Sequence, residues 1–216
     1  MFFIVIIASI LTALLGGGRL SSLASLPLRR TSLVFLAFGM QVALRPAARL
    51  LVLADWLVAS IYVASYIALI LALLFNFHIS GVPVMLAGTL MNFLAIIANG
   101  GRMPVSESAL LGAGLEDQVE PLRSGALATH TLVEEGTRLT FLADIYHVRA
   151  PYLPPICFSL GDGLMAIGVF VAFYLGMTRL SRQQRRGGLP GAPLRSGRKR
   201  RGHPADWRGG RWGARR

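Results

Sequence analysis

The sequence predicts an all-α integral membrane protein: a bundle of about five transmembrane helices, a long helical extracytoplasmic loop and a disordered basic C-terminal tail. More than half of the residues (54%) are hydrophobic and only 15% are charged, whereas roughly 25% are charged in a typical soluble domain. Five apolar runs approach the roughly 20 residues that a helix needs to cross a bilayer. The basic residues lie mainly outside these runs, and residues 181–216 hold twelve of the 22.

Five segments are predicted to span the membrane, two of them only marginally. They are residues 1–18, 31–48, 56–77, 81–98 and 155–178. The second has only fourteen uncharged residues before Arg45, so its arginine side chains must reach water at the interface. The fifth is interrupted by one charged residue, Asp162. Together the segments form a predicted transmembrane domain over residues 1–178.

The first segment is interpreted as a membrane anchor with its N-terminus outside the cell. No positive charge precedes its apolar run, whereas Arg19, Arg29 and Arg30 follow it. A secretory signal peptide has its charges in front of the apolar region. The order of charges therefore argues against a cleaved signal.

Charge placement predicts the orientation of the remaining segments in the cell (plasma) membrane. With the N-terminus outside, residues 16–30, residues 76–80 and the tail lie inside and hold 16 of the 22 basic residues. The outer loop, residues 99–154, carries seven acidic residues and four arginines. Because positive residues favour the cytoplasmic side, an odd number of crossings with a cytoplasmic C-terminus is expected.

The outer loop and the tail are predicted to differ in order. The loop is expected to contain short helices, one from Ser106 onward with Glu107 in its first turn and one over residues 127–141. Residues 179–216 are rich in Arg, Gly and Pro, a composition that cannot bury enough apolar surface to fold. Anionic lipid headgroups are the expected partner of this tail, in preference to nucleic acid.

Small residues repeat along two of the predicted spans at a spacing of four. They are Ser60, Ala64, Ala68 and Ala72 in the third span and Gly168, Ala172 and Gly176 in the fifth. Small residues allow transmembrane helices to approach closely. These ladders predict a packed bundle, and they leave open whether the partner helix belongs to this chain, to a second copy or to another membrane protein.

Polar side chains concentrate in the outer half of the predicted spans. The candidates for a polar pocket are Asp162, Asn92, Asn99, Arg102, Arg45, Gln41, Gly100, Gly101 and Asp144. Ionisable groups within a bilayer are costly and frequently functional, so one interpretation is a pocket open to the outside with Asp162 held by Arg45 or Arg102. In the alternative interpretation these residues make interhelical hydrogen bonds and one ion pair that only stabilise the bundle.

No motif for catalysis, nucleotide binding or a cofactor is present in the sequence. His130 and Glu134 are one helical turn apart and could share a metal with Asp144 or His147. Histidines in an acidic loop are more often surface groups, so neither a metal nor a cofactor is predicted. Cys157 is the single cysteine, which excludes an intrachain disulfide and a cysteine-based zinc site.

Three motifs lie at or near the outer ends of the predicted spans: Asn-Gly-Gly-x-Met-Pro at 99–104, Thr-x-Leu-x-Phe-Leu-x-Asp-Ile at 137–145 and Ser-x-Gly-Asp at 159–162. They resemble a bacterial family of small multi-pass membrane proteins that is catalogued as a domain of unknown function. The resemblance covers about residues 1–178 and implies no activity. The family pattern has glycine before the aspartate of the second motif, where this chain has Ala143.

Three functional hypotheses follow from the sequence. The leading one is a non-enzymatic membrane protein whose outer pocket binds or passes a small solute, an ion or a lipid headgroup. The second is a structural or accessory subunit of a membrane complex. The third is a lipid-modifying enzyme that would use Asp162, Asp144 and a histidine.

The predicted orientation can be tested with reporter fusions. Alkaline phosphatase inserted after Gly136 should be active, because this enzyme folds only outside the cytoplasm and residue 136 lies in the predicted outer loop. The same enzyme fused after Arg179 should be inactive. Equal activity at the two positions would contradict an outer loop and a tail on opposite sides of the membrane.

Overall fold

Five apolar helices form the body of the computed structural model, which describes residues 2–51 and 53–187. They are α1 (Phe2–Leu15), α2 (Thr31–Leu50), α3 (Asp55–Phe75), α4 (Val82–Ala98) and α7 (Leu160–Gly187). Each helix corresponds to one predicted span. Apart from the two ends of α7, the observed and predicted ends differ by three residues or fewer. The helical nature of all five segments is therefore confirmed.

Three of these helices are long and apolar enough to cross a membrane. The qualifying stretches are Thr31–Ala48, Asp55–Phe75 and Leu160–Arg179. Helices α1 and α4 are also apolar but have 14 and 17 residues, which at 1.5 Å per residue is less than the roughly 30 Å of a bilayer core. The helices thus indicate a membrane protein, while two of the five predicted spans are shorter than a full crossing.

Each helix packs on the next in the order α1, α7, α4, α3, α2. At one end, the Asn76 side chain accepts a hydrogen bond from the Arg29 backbone N–H and donates one to the Arg29 carbonyl, both at 2.7 Å. At the opposite end, Arg102 forms an ion pair with Asp55 at 3.0 Å. The segments that connect the helices therefore lie at the two ends of the bundle, as expected when successive helices run in opposite directions.

Helices α4 and α7 approach each other through reciprocal pairs of glycines. Gly88 lies against Gly161 and Gly81 lies against Gly168, and seven residues, about two helical turns, separate the members on each side. A Cβ atom at Gly161 would lie 2.6 Å from the Gly88 carbonyl oxygen, and one at Gly168 would lie 2.6 Å from the Met85 nitrogen. The backbones are in direct contact, so these positions admit only glycine.

The small-residue ladder of the fifth predicted span packs within this chain. Ala172 lies against Gly81, the residue before α4, and Gly176 lies against Leu23 and Leu26 in the segment that follows α1. In the ladder of α3, Ala68 and Ala72 are buried, whereas Ser60 and Ala64 are exposed. The sequence left open whether the ladders pack on this chain, on a second copy or on another membrane protein, and in the structure the α7 ladder packs on this chain.

The segment between α4 and α7 corresponds to the predicted outer loop and is called the outer region below; it mixes short helices with two small sheets, so the all-α prediction is wrong for this segment. It contains α5 (Glu107–Ala113), α6 (Val119–Arg123), β1 (Met103–Val105), β2 (His130–Leu132), β3 (Tyr146–Ala150) and β4 (Leu153–Phe158). Strands β1 and β2 pair in parallel, and β3 and β4 form an antiparallel hairpin. The helix predicted at Glu107 is confirmed, whereas the helix predicted over 127–141 is wrong.

Local sequence explains these corrections. Thr129, Thr131 and Val133 place β-branched residues at alternate positions, a pattern that favours a strand over a helix. Pro154 and Pro155 restrict the residues before them to extended conformations, so α7 begins at Leu160 rather than at the predicted residue 155.

The other end of α7 also differs from the prediction. The helix continues to Gly187, so residues 179–187, which were predicted to belong to the disordered tail, are helical. The remainder of the predicted tail, residues 188–216, lies outside the described residues.

The glycine contact predicts a clear difference between substitutions. Gly88→Ala and Gly168→Ala should each lower the free energy of unfolding by about 1–3 kcal/mol, because the added methyl group meets the backbone of the opposing helix. Gly163→Ala is the matched control on α7, since nothing lies within 4 Å of its Cβ position. Thermal unfolding in detergent would measure the three effects, and equal midpoints would contradict the contact.

Candidate functional site

Ser159 and Asp162 cap the N-terminus of α7 reciprocally. The Ser159 Oγ accepts a hydrogen bond from the Asp162 backbone N–H at 3.0 Å, and the Asp162 Oδ2 accepts one from the Ser159 N–H at 3.3 Å. This is a capping box, in which a serine and an acid three residues later satisfy free N–H groups of the first helical turn. The Ser-x-x-Asp spacing was visible in the sequence, but its capping role was not predicted.

Asn92 of α4 connects this cap to the neighbouring helix. Its Nδ2 donates to the Asp162 Oδ1 at 2.7 Å, and its Oδ1 accepts from the Ser159 hydroxyl at 2.8 Å. Asn92 and Ser159 are buried, and both carboxylate oxygens of Asp162 have partners. The structure therefore brings Asn92 and Asp162 together in a bond network between α4 and α7, as the stabilising interpretation describes.

The remaining charged and amide candidates lie in separate places. Arg102 pairs with Asp55 at the start of α3 rather than with Asp162. Gln41 of α2 donates to the Ser65 hydroxyl of α3 at 3.2 Å. The side chain of Arg45 lies outside the described residues. The structure thus divides the predicted pocket into several local contacts.

Asn99, Gly100 and Gly101 attach the outer region to the helices. Asn99 accepts a hydrogen bond from the Arg138 N–H and donates one to the Arg138 carbonyl, both at 2.9 Å. Gly100 and Gly101 have φ values of +69° and +84°, which non-glycine residues rarely adopt. A Cβ at Gly101 would lie 2.6 Å from the Ala59 Cβ, so this turn also needs glycine for its contact with α3.

A cavity of about 710 Å³ lies between the outer region and the ends of α2 and α3. Fourteen of its 21 lining residues are apolar, but polar and apolar groups contribute about equally to its surface. The polar residues are Asp55, Asp117, Gln118, Thr129, His130, Asp144 and Cys157. The volume falls within the roughly 300–1,000 Å³ of small-molecule sites, which combine the same two kinds of lining. Of the predicted site residues whose side chains are described, Asp144 alone lines this cavity.

Asp144 is held in place by its backbone while its side chain is buried. The N–H of Asp144 donates to the Pro104 carbonyl at 2.9 Å, and its carbonyl accepts from the Ser106 N–H at 3.1 Å. The residue is only 7% exposed, and its Oδ1 atom has no hydrogen-bond partner. Buried polar atoms nearly always have a partner, so the Asp144 carboxyl group is incompletely satisfied within the residues that the structure describes.

The environment of Asp144 disfavours its charged form. Burial raises the pKa of the Asp144 carboxyl to about 8, and the nearby Asp162 carboxylate adds to the shift. Burial, followed by the charge of Asp144, also raises the pKa of the Cys157 thiol in the same wall. At neutral pH the cavity therefore contains a protonated carboxyl group and a protonated thiol.

The histidines considered as metal ligands are separated in the fold. His130 lines the cavity, and its Nδ1 lies 2.9 Å from the Thr129 hydroxyl. The ring of His147 packs instead against Gly112 of α5. Within residues 2–51 and 53–187, no three His, Cys, Asp or Glu side chains lie close enough together to hold a metal ion.

These features define a mainly helical protein with three helices that are long and apolar enough to cross a membrane, and with a ligand-sized cavity beneath the segment between α4 and α7. The chain belongs to a family of unknown function, DUF5317, whose model matches residues 25–174. This range includes α2 to α4, the whole outer region and the first half of α7. The predicted membership of an uncharacterised family is confirmed.

One curated relative has been found, and it is an uncharacterized protein of Thermotoga maritima. The two sequences are 33% identical over 111 residues, which make up 51% of this chain and 61% of the relative. The match thus spans less than two thirds of the relative's length. No solved structure matches the chain.

The network around Asn92 predicts a strong effect of one substitution. Asn92→Leu would leave the Ser159 hydroxyl and the Asp162 Oδ1 buried without their partner, and each such loss costs about 1–3 kcal/mol. Ser60→Ala serves as the control, because that exposed hydroxyl bonds only to its own helix. If thermal unfolding in detergent gave equal midpoints for the two variants, the network would not hold α4 to α7.

Proposed function

We propose that this protein is a non-enzymatic binding protein of the cell membrane that holds a small amphiphilic molecule in the cavity below its outer region. The observation that carries the proposal is the cavity itself, whose wall includes the buried carboxyl group of Asp144 with one oxygen unpartnered. A ligand with one polar group and an apolar body would offer this carboxyl group a partner and cover the apolar part of the wall.

The proposed site differs from the pocket predicted between the spans. Asn92 and Asp162 complete each other's hydrogen bonds, which supports a role in stability for both. The cavity lies instead above α2 and α3, at the level of Ala48 and Asp55. Asp144 is the member of the predicted set to which we assign ligand binding.

Nearby exposed residues support access from the membrane. Leu50, Leu51 and Trp56 are 81%, 67% and 70% exposed, and they lie next to the cavity residues Ala48, Leu53 and Asp55 in the chain. In a membrane such side chains would contact lipid. A molecule dissolved in the outer leaflet would therefore meet the cavity from the side.

The proposal retains the orientation expected from the charges. The N-terminus and the acidic outer region face the outside, and the basic tail faces anionic lipids at the cytoplasmic side. The cavity then opens toward the extracytoplasmic face of the membrane.

A second candidate is the accessory subunit, and one observation favours it. The β3–β4 hairpin exposes apolar side chains, including Tyr152 at 96% and Leu153 at 41%, which a partner protein could cover. In that function the hairpin would bind the partner protein. Tyr152→Ser would then weaken binding of the partner without changing ligand binding in the cavity.

Cys157 provides a built-in probe of the cavity because it is the single cysteine of the chain. The rate of its alkylation by N-ethylmaleimide can be followed by mass spectrometry on the full chain in lipid nanodiscs. A neutral apolar compound such as neopentylbenzene should slow the reaction at least threefold in a saturable manner. Ala126→Trp, which adds bulk in the cavity wall, should slow it without added compound.

Ser108→Trp is the matched control, since Ser108 is exposed on α5 and does not line the cavity. It should leave both the basal rate and the protection unchanged. An alkylation rate that responds to neither the added compound nor Ala126→Trp would refute the proposed binding site.

A further inference from the structure

We infer that the cavity selects an organic cation, an ammonium group carried on an apolar body, and that Asp144 is the residue that recognises its charge. This inference rests on the proposed function and specifies the class of ligand that the same site takes.

The charged residues in the cavity wall are acidic. Asp55, Asp117 and Asp144 line it, whereas no lysine or arginine occurs in the wall among the residues that the structure describes. Arg102 is close by, with its Nη1 3.8 Å from the Cβ position of Gly125, but it and Asp55 are paired with each other. Among the described side chains of the wall, an anionic ligand would therefore find no free arginine or lysine, whereas a cation would find the carboxyl groups of Asp117 and Asp144.

The rest of the wall indicates what kind of cation fits. Most lining residues are apolar, among them Leu53, Val58, Leu110, Leu122 and Ile156. A hydrated metal ion gains nothing from such a surface, and the described side chains offer no cluster of three metal ligands. An ammonium group with hydrocarbon attached matches both parts of the wall.

Asp144 is placed to discriminate between charged and neutral ligands. It is the only one of the three lining carboxylates that is buried, and charges attract far more strongly in a buried setting than in water. Its backbone is fixed on both sides by hydrogen bonds to Pro104 and Ser106. The backbone that carries the carboxyl group is therefore fixed, so an ammonium group needs a movement of the Asp144 side chain alone to pair with it.

The raised pKa of Asp144 makes cation binding depend on pH. Below about pH 8 the carboxyl holds a proton, which a cation must displace before it can form the ion pair. The affinity for a permanent cation should therefore rise about tenfold per pH unit up to about pH 8 and then level off. Asp55, Asp117, His130 and Cys157 also face the cavity, so the slope must be assigned to Asp144 by substitution.

The test compares two probes of equal shape, benzyltrimethylammonium and its neutral carbon analogue neopentylbenzene. Affinities are measured on the full chain in nanodiscs, at pH 6 to 9, from the ratio of Cys157 alkylation rates with and without probe. The cation should bind about 50-fold more tightly at pH 8 than at pH 6, because the ionised fraction of a carboxyl with a pKa of about 8 rises by that factor, whereas the affinity for the neutral probe should stay constant.

Asp144→Asn separates charge from shape, because an amide resembles the protonated carboxyl group. This variant should bind the cation at least tenfold more weakly at pH 8, lose the pH slope and retain the neutral probe. His130→Gln should keep the slope, whatever its effect on the affinity itself. If Asp144→Asn did not fold, the wild-type slope and the His130→Gln slope would still decide the assignment.

The outcomes distinguish the two proposals. If both probes bind the wild type equally at every pH, or if the slope disappears in His130→Gln, the cation inference is overturned while the binding site stands. If neither probe protects Cys157, the proposed function itself fails.

Discussion

The contact between α4 and α7 is the constraint on which the rest of the structure depends. Glycines at both helices allow the backbones to touch, and this proximity lets Asn92 reach Ser159 and Asp162 at the start of α7. Helix α1 packs on the far side of α7, and α3 packs on the far side of α4. The pair therefore forms the centre of the row of helices, and its separation would detach the outer region at both of its connections to the bundle. Hydrogen bonds and close packing are the main forces available to helices in lipid, where apolar burial contributes little.

Run lengths and charge were sufficient to predict the helices, because a transmembrane segment must satisfy its backbone internally and show an apolar surface to lipid. The outer region was harder to predict. Its strands have three to six residues, and pairs such as Met103 with His130 join positions that no local pattern connects. The start of α7 was predicted five residues too early because its apolar run was given more weight than the prolines. Both Pro154–Pro155 and the Ser159–Asp162 spacing could have corrected it.

The candidate site shows a similar division. Counting residues from the outer ends of the predicted spans placed Asn92 and Asp162 at the same depth, and in the structure they are joined by a hydrogen bond. Depth could not reveal that Ser159 would complete their hydrogen bonds, nor that Arg102 would pair with Asp55. The cavity is formed by residues from 48 to 157 of the chain, so its existence depends on how the outer region folds back over α2 and α3. Asp144 was predicted as a pocket residue because it is the acid of the second motif, but the burial that raises its pKa is a property of the folded state.

Two asparagines, Asn76 and Asn99, each bond to both the backbone N–H and the backbone carbonyl of a distant arginine, Arg29 and Arg138 respectively. These backbone groups therefore do not need water as a partner. Segments without regular secondary structure can therefore sit at the depth of the lipid headgroups, or slightly below them, without the penalty that free amides suffer there. The backbone groups satisfied in this way are those of Arg29, just before α2, and of Arg138, in the outer region, where these segments meet the residues that follow α3 and α4.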